Sequence, residues 1–129
     1  PDQRVVLAGP EMPNFRRVWD RHPHRGRVTR LGVLTEEQKW DFFAGIDVFA
    51  LPSRTDSFGL VLLEAWANGK PVVAYRAGGP AELVRDGVDG YLAPCGDVVG
   101  LAGRLRALAA DAGLCRLMGE AGRERVGRE

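Results

Sequence analysis

Short apolar runs alternate with longer amphipathic stretches along the chain, the pattern of β-α-β units. Val5–Ala8 reads as a strand ended by Gly9-Pro10. Asn14 is placed to cap a helix through Phe15, Val18 and Trp19 that stops near His22-Pro23. A strand at 28–31 closes on Gly32, and Thr35 with Gln38 three residues on forms a capping-box match for a helix through Trp40, Phe43 and Ala44. Residues 48–51 predict a third strand, 59–67 a helix stopped by Asn68-Gly69, and 71–75 a fourth strand. Gly78-Gly79-Pro80 leads into a short helix at 81–85. The turn Asp86-Gly87-Val88-Asp89-Gly90 precedes a last strand, Tyr91-Leu92-Ala93. Asp97 is set to cap a helix with Leu101, Leu105 and Leu108 on one face, and a further helix starts near Leu114.

Strands separated by helices, without hairpin signals, imply parallel pairing through right-handed crossovers. The expected fold class is α/β: an open doubly wound parallel sheet, Rossmann-like, with helices on both faces. Ligands bind such sheets at the carboxyl ends of the strands, so chemistry is sought in the loops after Ala8, Leu31, Leu51 and Tyr75.

Composition narrows the picture. The 129 residues suit one domain, 45% are hydrophobic, and 18 Lys+Arg offset 17 Asp+Glu, so overall charge points to neither nucleic acid nor an anionic membrane. Cys95 and Cys115 are the only cysteines, and no His/Cys/Asp/Glu spacing suggests a metal; none is expected. No apolar run is long enough for a transmembrane segment, and no signal-like segment opens the chain. A cytoplasmic location is expected, with peripheral membrane association open for a full-length protein. Pro1 is not an initiator, and the segment reads as a piece truncated at its N-terminus.

The stretch from Leu51 to Ala74 combines a strand, a polar loop, a helix and a strand. Helix N-termini carry free N–H groups and partial positive charge, and bind phosphates. Gly59 lets a ligand approach the backbone closely where that helix begins. Glu64 shares a helical face with Ser57, Val61 and Asn68, while Leu60, Leu62 and Leu63 cover the remainder. A carboxylate on so apolar a helix needs partners. Two readings stay open on these residues: a rim carboxylate bonded to a neighbouring loop, or an acceptor for ligand hydroxyls such as a ribose.

Asp56-Ser-Phe58-Gly59-Leu-Val-Leu-Leu-Glu64-Ala65 resembles the Glu-x7-Glu motif of the GT-B-type retaining glycosyltransferases of the group 1 family. Flanking pieces fall in the right order: Asp47-Val-Phe-Ala-Leu-Pro-Ser53, Gly69-Lys-Pro-Val-Val-Ala74, Gly78-Gly79-Pro-Ala-Glu82 and Asp86-Gly-Val-Asp-Gly90. Upstream, Val5-Val6-Leu7-Ala8-Gly9 and Val28-Thr-Arg-Leu-Gly32 resemble two earlier strands, so the likeness covers nearly the whole chain. The resemblance implies the donor-binding, C-terminal half of a two-domain GT-B enzyme. It would move a hexose from a nucleoside-diphosphate sugar with retention of configuration and without a bound metal or other cofactor.

By that resemblance Glu64 holds the ribose hydroxyls, and the amides of Gly59, Leu60 and Val61 receive the diphosphate. Asp56, with the amides of Ser57 and Phe58, holds the transferred sugar, and Val33 and Leu34 border the base. Asp56 stands where the family has Glu, one methylene longer, which puts direct contact with the sugar in doubt. By the resemblance, the Arg and Lys that the family places on a preceding strand and loop, and the N-terminal acceptor domain, are expected to lie outside these 129 residues. The piece alone is therefore expected to be catalytically silent.

Other groups read as structural. The stretch holding Arg16, Arg17, Arg21, His22, His24, Arg25, Arg27 and Arg30 reads as a solvated face rather than a nucleic-acid patch. Glu82 reads as satisfying N–H groups in the first turn of its helix. Trp19, Trp40 and Phe43 read as packing, and the Arg/Glu residues of 116–129 as a solvated helix surface. Two alternatives remain: a GT-B-fold sugar-nucleotide epimerase or hydrolase, and a non-catalytic flavodoxin-like module. The acid-x7-Glu helix and Gly-Gly-Pro-Ala-Glu argue against the module.

Overall fold

The computed structural model describes residues 5–8, 28–32, 34–51 and 60–128. Two compact units divide the chain, Pro1–Asp41 and Phe42–Glu129.

In the first unit β1 (Val5–Ala8) runs parallel to β2 (Val28–Gly32), Val5 beside Val28 and Leu7 beside Arg30, with a shift in register that sets Ala8 beside Gly32. Both strands lie where the apolar runs predict them. The helix expected from Asn14 and the arginine-rich stretch around His22 fall outside the described residues, apart from Arg30 in β2. Helix α1 (Glu36–Gly45) opens in this unit with the predicted capping box. Thr35 N–H donates to Gln38 Oε1 at 2.9 Å, and Gln38 N–H donates to Thr35 Oγ1 at 3.1 Å. Two orphan donors of the first turn are thereby satisfied reciprocally. Thr35→Ala is expected to destabilise this helix by about 1 kcal/mol, measured as a lower urea midpoint with an unchanged m-value.

In the second unit three strands form a parallel sheet in the order β3 (Phe49–Leu51), β4 (Val72–Tyr75), β5 (Gly90–Ala93). Leu51 lies beside Ala74, and Tyr75 beside Ala93. Helix α2 (Leu60–Ala67) connects β3 to β4, and α3 (Gly78–Leu83) connects β4 to β5. Helices α4 (Val98–Ala109) and α5 (Ala112–Arg128) follow. All four β4 residues are buried, as a central strand covered on both faces requires.

The two-residue period of the strand sorts β4 between two cores. Val72 and Ala74 join Leu92, Phe43, Phe49, Leu62, Ala65 and Trp66 on one side. Val73 and Tyr75 join Ala93, Leu101, Leu108 and Met118 on the other. Helix α5 serves both: Leu114, Cys115 and Met118 pack into the second cluster, and Val126 against the first. This is the doubly wound α/β arrangement expected from the sequence.

Local chemistry fixes the helix ends. Gly69, at φ +72°, closes α2 with a Schellman pair: Lys70 N–H donates to Ala65 O at 3.0 Å and Gly69 N–H to Trp66 O at 2.8 Å. Asp97 caps α4 by accepting from Gly100 N–H at 2.9 Å. Asp111 accepts from Leu114 N–H at 3.0 Å, so α5 starts at Ala112, ahead of the predicted Leu114.

Three expectations are corrected. Trp40 is 63% exposed; the C-terminal turn of α1 is what enters the core, where Phe42, Phe43 and Phe49 meet edge to face. Helix α3 begins at Gly78 rather than 81, so Glu82 is an exposed residue of its last turn and not a first-turn cap. Arg125 lies within the fold, not on a solvated surface, because Asp89 draws it in.

Candidate functional site

The parallel register sets the carboxyl ends of β3 and β4 side by side, with Leu51 against Ala74. The chain leaving β3 returns as α2, whose amino end at Leu60 therefore belongs to that same edge. No acidic side chain occupies the first turn of α2. The N–H groups and positive dipole end of a helix start favour an anion.

Leu62, Ala65 and Trp66 anchor α2 in the core, while Val61, Glu64 and Asn68 lie together on its half-buried flank. Glu64 sits one turn into the helix. Its carbonyl accepts from Asn68 Nδ2 at 2.9 Å, but its carboxylate has no partner among the described residues. The rim reading, in which Glu64 bonds a neighbouring loop, therefore finds no bond among the described residues. Leu34 is half-buried in the first unit, immediately before the capping box. Leu60 opens α2. Val33, Asp56, Ser57, Phe58 and Gly59 lie outside the described residues.

At the carboxyl end of β4, Arg76 N–H donates to Ala93 O at 2.8 Å, and Gly78, at φ +56°, starts α3. Arg76 Nη2 reaches Asp86 Oδ2 at 3.4 Å, and Asp86 Oδ1 accepts from Leu92 N–H at 3.0 Å. The second Asp of the turn, Asp89, is fully buried. Its Oδ1 accepts from Arg85 N–H at 2.9 Å, and its Oδ2 from Arg85 Nε at 2.9 Å and Arg125 Nη1 at 3.3 Å. Its carbonyl accepts from the Trp66 indole N–H at 3.0 Å. Sequence reasoning passed over Asp89, Trp66 and Arg125, since their partners lie 23 and 36 residues away. The signal it could have used is an aspartate inside a glycine turn that is followed at once by an apolar strand.

The surroundings of Cys115 do not favour a nucleophilic thiol. Cys115 donates to Leu108 O at 3.0 Å, and burial, reinforced by Asp47 and Asp111, pushes its thiol up from the ordinary value. A thiol held protonated is a poor nucleophile. Among the described residues no group of three or more His, Cys, Asp or Glu could hold a metal ion, and no helix is long and apolar enough to cross a membrane.

Comparison with known proteins accounts for this arrangement. N-acetyl-alpha-D-glucosaminyl L-malate synthase of Bacillus anthracis is 37% identical over 127 residues, spanning 97% of this chain and 33% of that protein. Sucrose-phosphate synthase of Thermosynechococcus elongatus superposes with a TM-score of 0.87 at 31% identity, over 97% of this chain and 34% of its own. Anabaena HepE in complex with UDP gives 0.87 at 28% identity, over 99% of this chain and 37% of its own. The chain thus spans about a third of the length of these proteins. Residues 1–125 match the sequence profile of the family described as Glycosyl transferases group 1. On both sequence and fold, the chain belongs to the group 1 glycosyl transferases of the GT-B type.

Proposed function

We propose that these 129 residues are the nucleotide-sugar-binding domain of a retaining glycosyltransferase that moves a hexose from a nucleoside-diphosphate sugar to an acceptor. The observation that carries this reading is Glu64: a half-buried carboxylate on α2, without a partner among the described residues, one turn below the helix start. The amides of Gly59, Leu60 and Val61 receive the diphosphate, where the helix dipole favours negative charge. Glu64 accepts hydrogen bonds from the ribose hydroxyls. Asp56, with the amides of Ser57 and Phe58, holds the hexose, and Val33 and Leu34 border the base. The leaving diphosphate gains negative charge as the glycosidic bond breaks, so fixed donors aimed at it lower the barrier. HepE, bound to UDP in a chain of this fold, supports a nucleoside diphosphate as the ligand class.

Titration with UDP tests the assignment. Glu64→Gln keeps the shape of the side chain and removes its charge. It is expected to raise the UDP dissociation constant about tenfold, the scale of one charge-assisted hydrogen bond. Because that carboxylate supports nothing else among the described residues, the melting temperature should hardly move. Equal affinities for the parent and the variant would overturn the role of Glu64.

A further inference from the structure

We infer that Arg125 is a positioning residue for Glu64, acting through Trp66 to set the rotation and axial placement of α2. The inference rests on the donor-binding role of Glu64 and adds the part of the fold that holds it in place. Helix α2 has eight residues, too few to hold its own geometry in water, so its setting comes from packing. Trp66 stands two residues beyond Glu64 and is fully buried. Its indole N–H is tied to the carbonyl of Asp89 at 3.0 Å, and the Arg125 guanidinium lies over its ring, Cζ 5.5 Å from the centroid. Arg125 Nη1 also donates to Leu83 O and to Asp89 Oδ2. One guanidinium thus joins α5, the end of α3 and the turn before β5 to the indole of the helix that carries Glu64. If the indole shifts, α2 turns with it, and a rotation of about 15° displaces a glutamate carboxylate by more than the ~0.5 Å a preorganised site tolerates.

The second core gives the control. Leu108 is fully buried among Val73, Tyr75, Leu101 and Met118, in the cluster that does not contain α2. Leu108 shares its cluster with Met118, two turns before Arg125 on α5, and with no residue of α2, so a loss of stability there is expected to reach α2 only weakly.

The experiment compares UDP affinity by calorimetry for the parent, Arg125→Met, Arg125→Lys and Leu108→Ala, well below every melting transition. Arg125→Met, which keeps the apolar stem, is expected to weaken UDP about fivefold to tenfold, and Arg125→Lys by less. Leu108→Ala should stay within about twofold of the parent despite an equal or larger fall in melting temperature. In the Glu64→Gln background, Arg125→Met should weaken UDP less than it does in the parent, because much of its effect passes through the Glu64 carboxylate, which lies farther from the helix axis than the amides. If Arg125→Met does not fold, Arg125→Lys carries the same cycle. Parent-like affinity in the Arg125 variants, or effects that simply add to that of Glu64→Gln, would overturn the inference while leaving the donor site standing. A parent that fails to bind UDP, or a Glu64→Gln variant that binds it normally, would instead remove the reading beneath.

Discussion

Asp89→Ala is expected to destabilise the protein by about 3–5 kcal/mol, the scale for breaking a buried ion pair from one side. Asp89 is fully buried and receives three N–H groups, one from the backbone and two from arginine side chains. Alanine removes both acceptor oxygens, and with them all three hydrogen bonds, at once. The Arg85 side chain is about half exposed and can turn to water, so its share of the loss is small. Arg125 is different. Its side chain is only 23% exposed and lies over the Trp66 ring, so its charge stays behind with a partner removed. The Arg85 backbone N–H loses its acceptor as well, with the penalty of an unsatisfied donor. Asp89→Asn retains an acceptor for that N–H and loses the charge, so about half the effect is expected. Urea unfolding measures both, with m-values checked for a constant unfolded state. A loss under about 1 kcal/mol for Asp89→Ala would show that other groups hold the Arg125 charge.

How much of this was readable beforehand depends on the range of the interactions. Periodicity located β1, β2, β4 and β5 to within a residue, because each is a short apolar run bounded by turn residues. The Thr35 box and the Asp97 cap were legible because donor and acceptor lie three residues apart. The start of α3 was not. Gly78 takes a positive φ and Ala77 offers no side-chain cap, so nothing local marks that helix as beginning before Pro80. Trp40 misled for a related reason: helical spacing puts it on the face of Phe43 but cannot say which turn of α1 meets the core. Helix α2 and Glu64 were visible as one charge on an apolar helix. What holds that helix was not, because Asp89, Trp66 and Arg125 meet only once the chain has folded.

Gly122 shows how tertiary packing reverses a local rule. Within a helix, Gly→Ala ordinarily stabilises by about 0.5–1 kcal/mol by restricting the unfolded chain. Gly103 in α4 and Gly127 in α5 should follow that rule, since a Cβ added at either meets nothing within 4 Å. At Gly122 the same Cβ would lie 2.1 Å from Trp66 Cδ1 and 2.7 Å from its Nε1. The ring cannot step aside without breaking its bond to Asp89 O and leaving the Arg125 guanidinium, so α5 must move instead. One turn earlier the helix has no room to do so: a Cβ at Gly119 would lie 2.0 Å from the carbonyl oxygen of Gly69, which is backbone. Gly122→Ala is therefore expected to destabilise by about 2–3 kcal/mol, at the upper end for overpacking. The difference from Gly103→Ala and Gly127→Ala is then about 3 kcal/mol, with opposite sign. Urea midpoints of the three variants, read by far-UV circular dichroism, give the comparison. If Gly122→Ala proved as stable as the other two, α5 would not be seated on Trp66, and the route by which Arg125 reaches Glu64 would be lost with it.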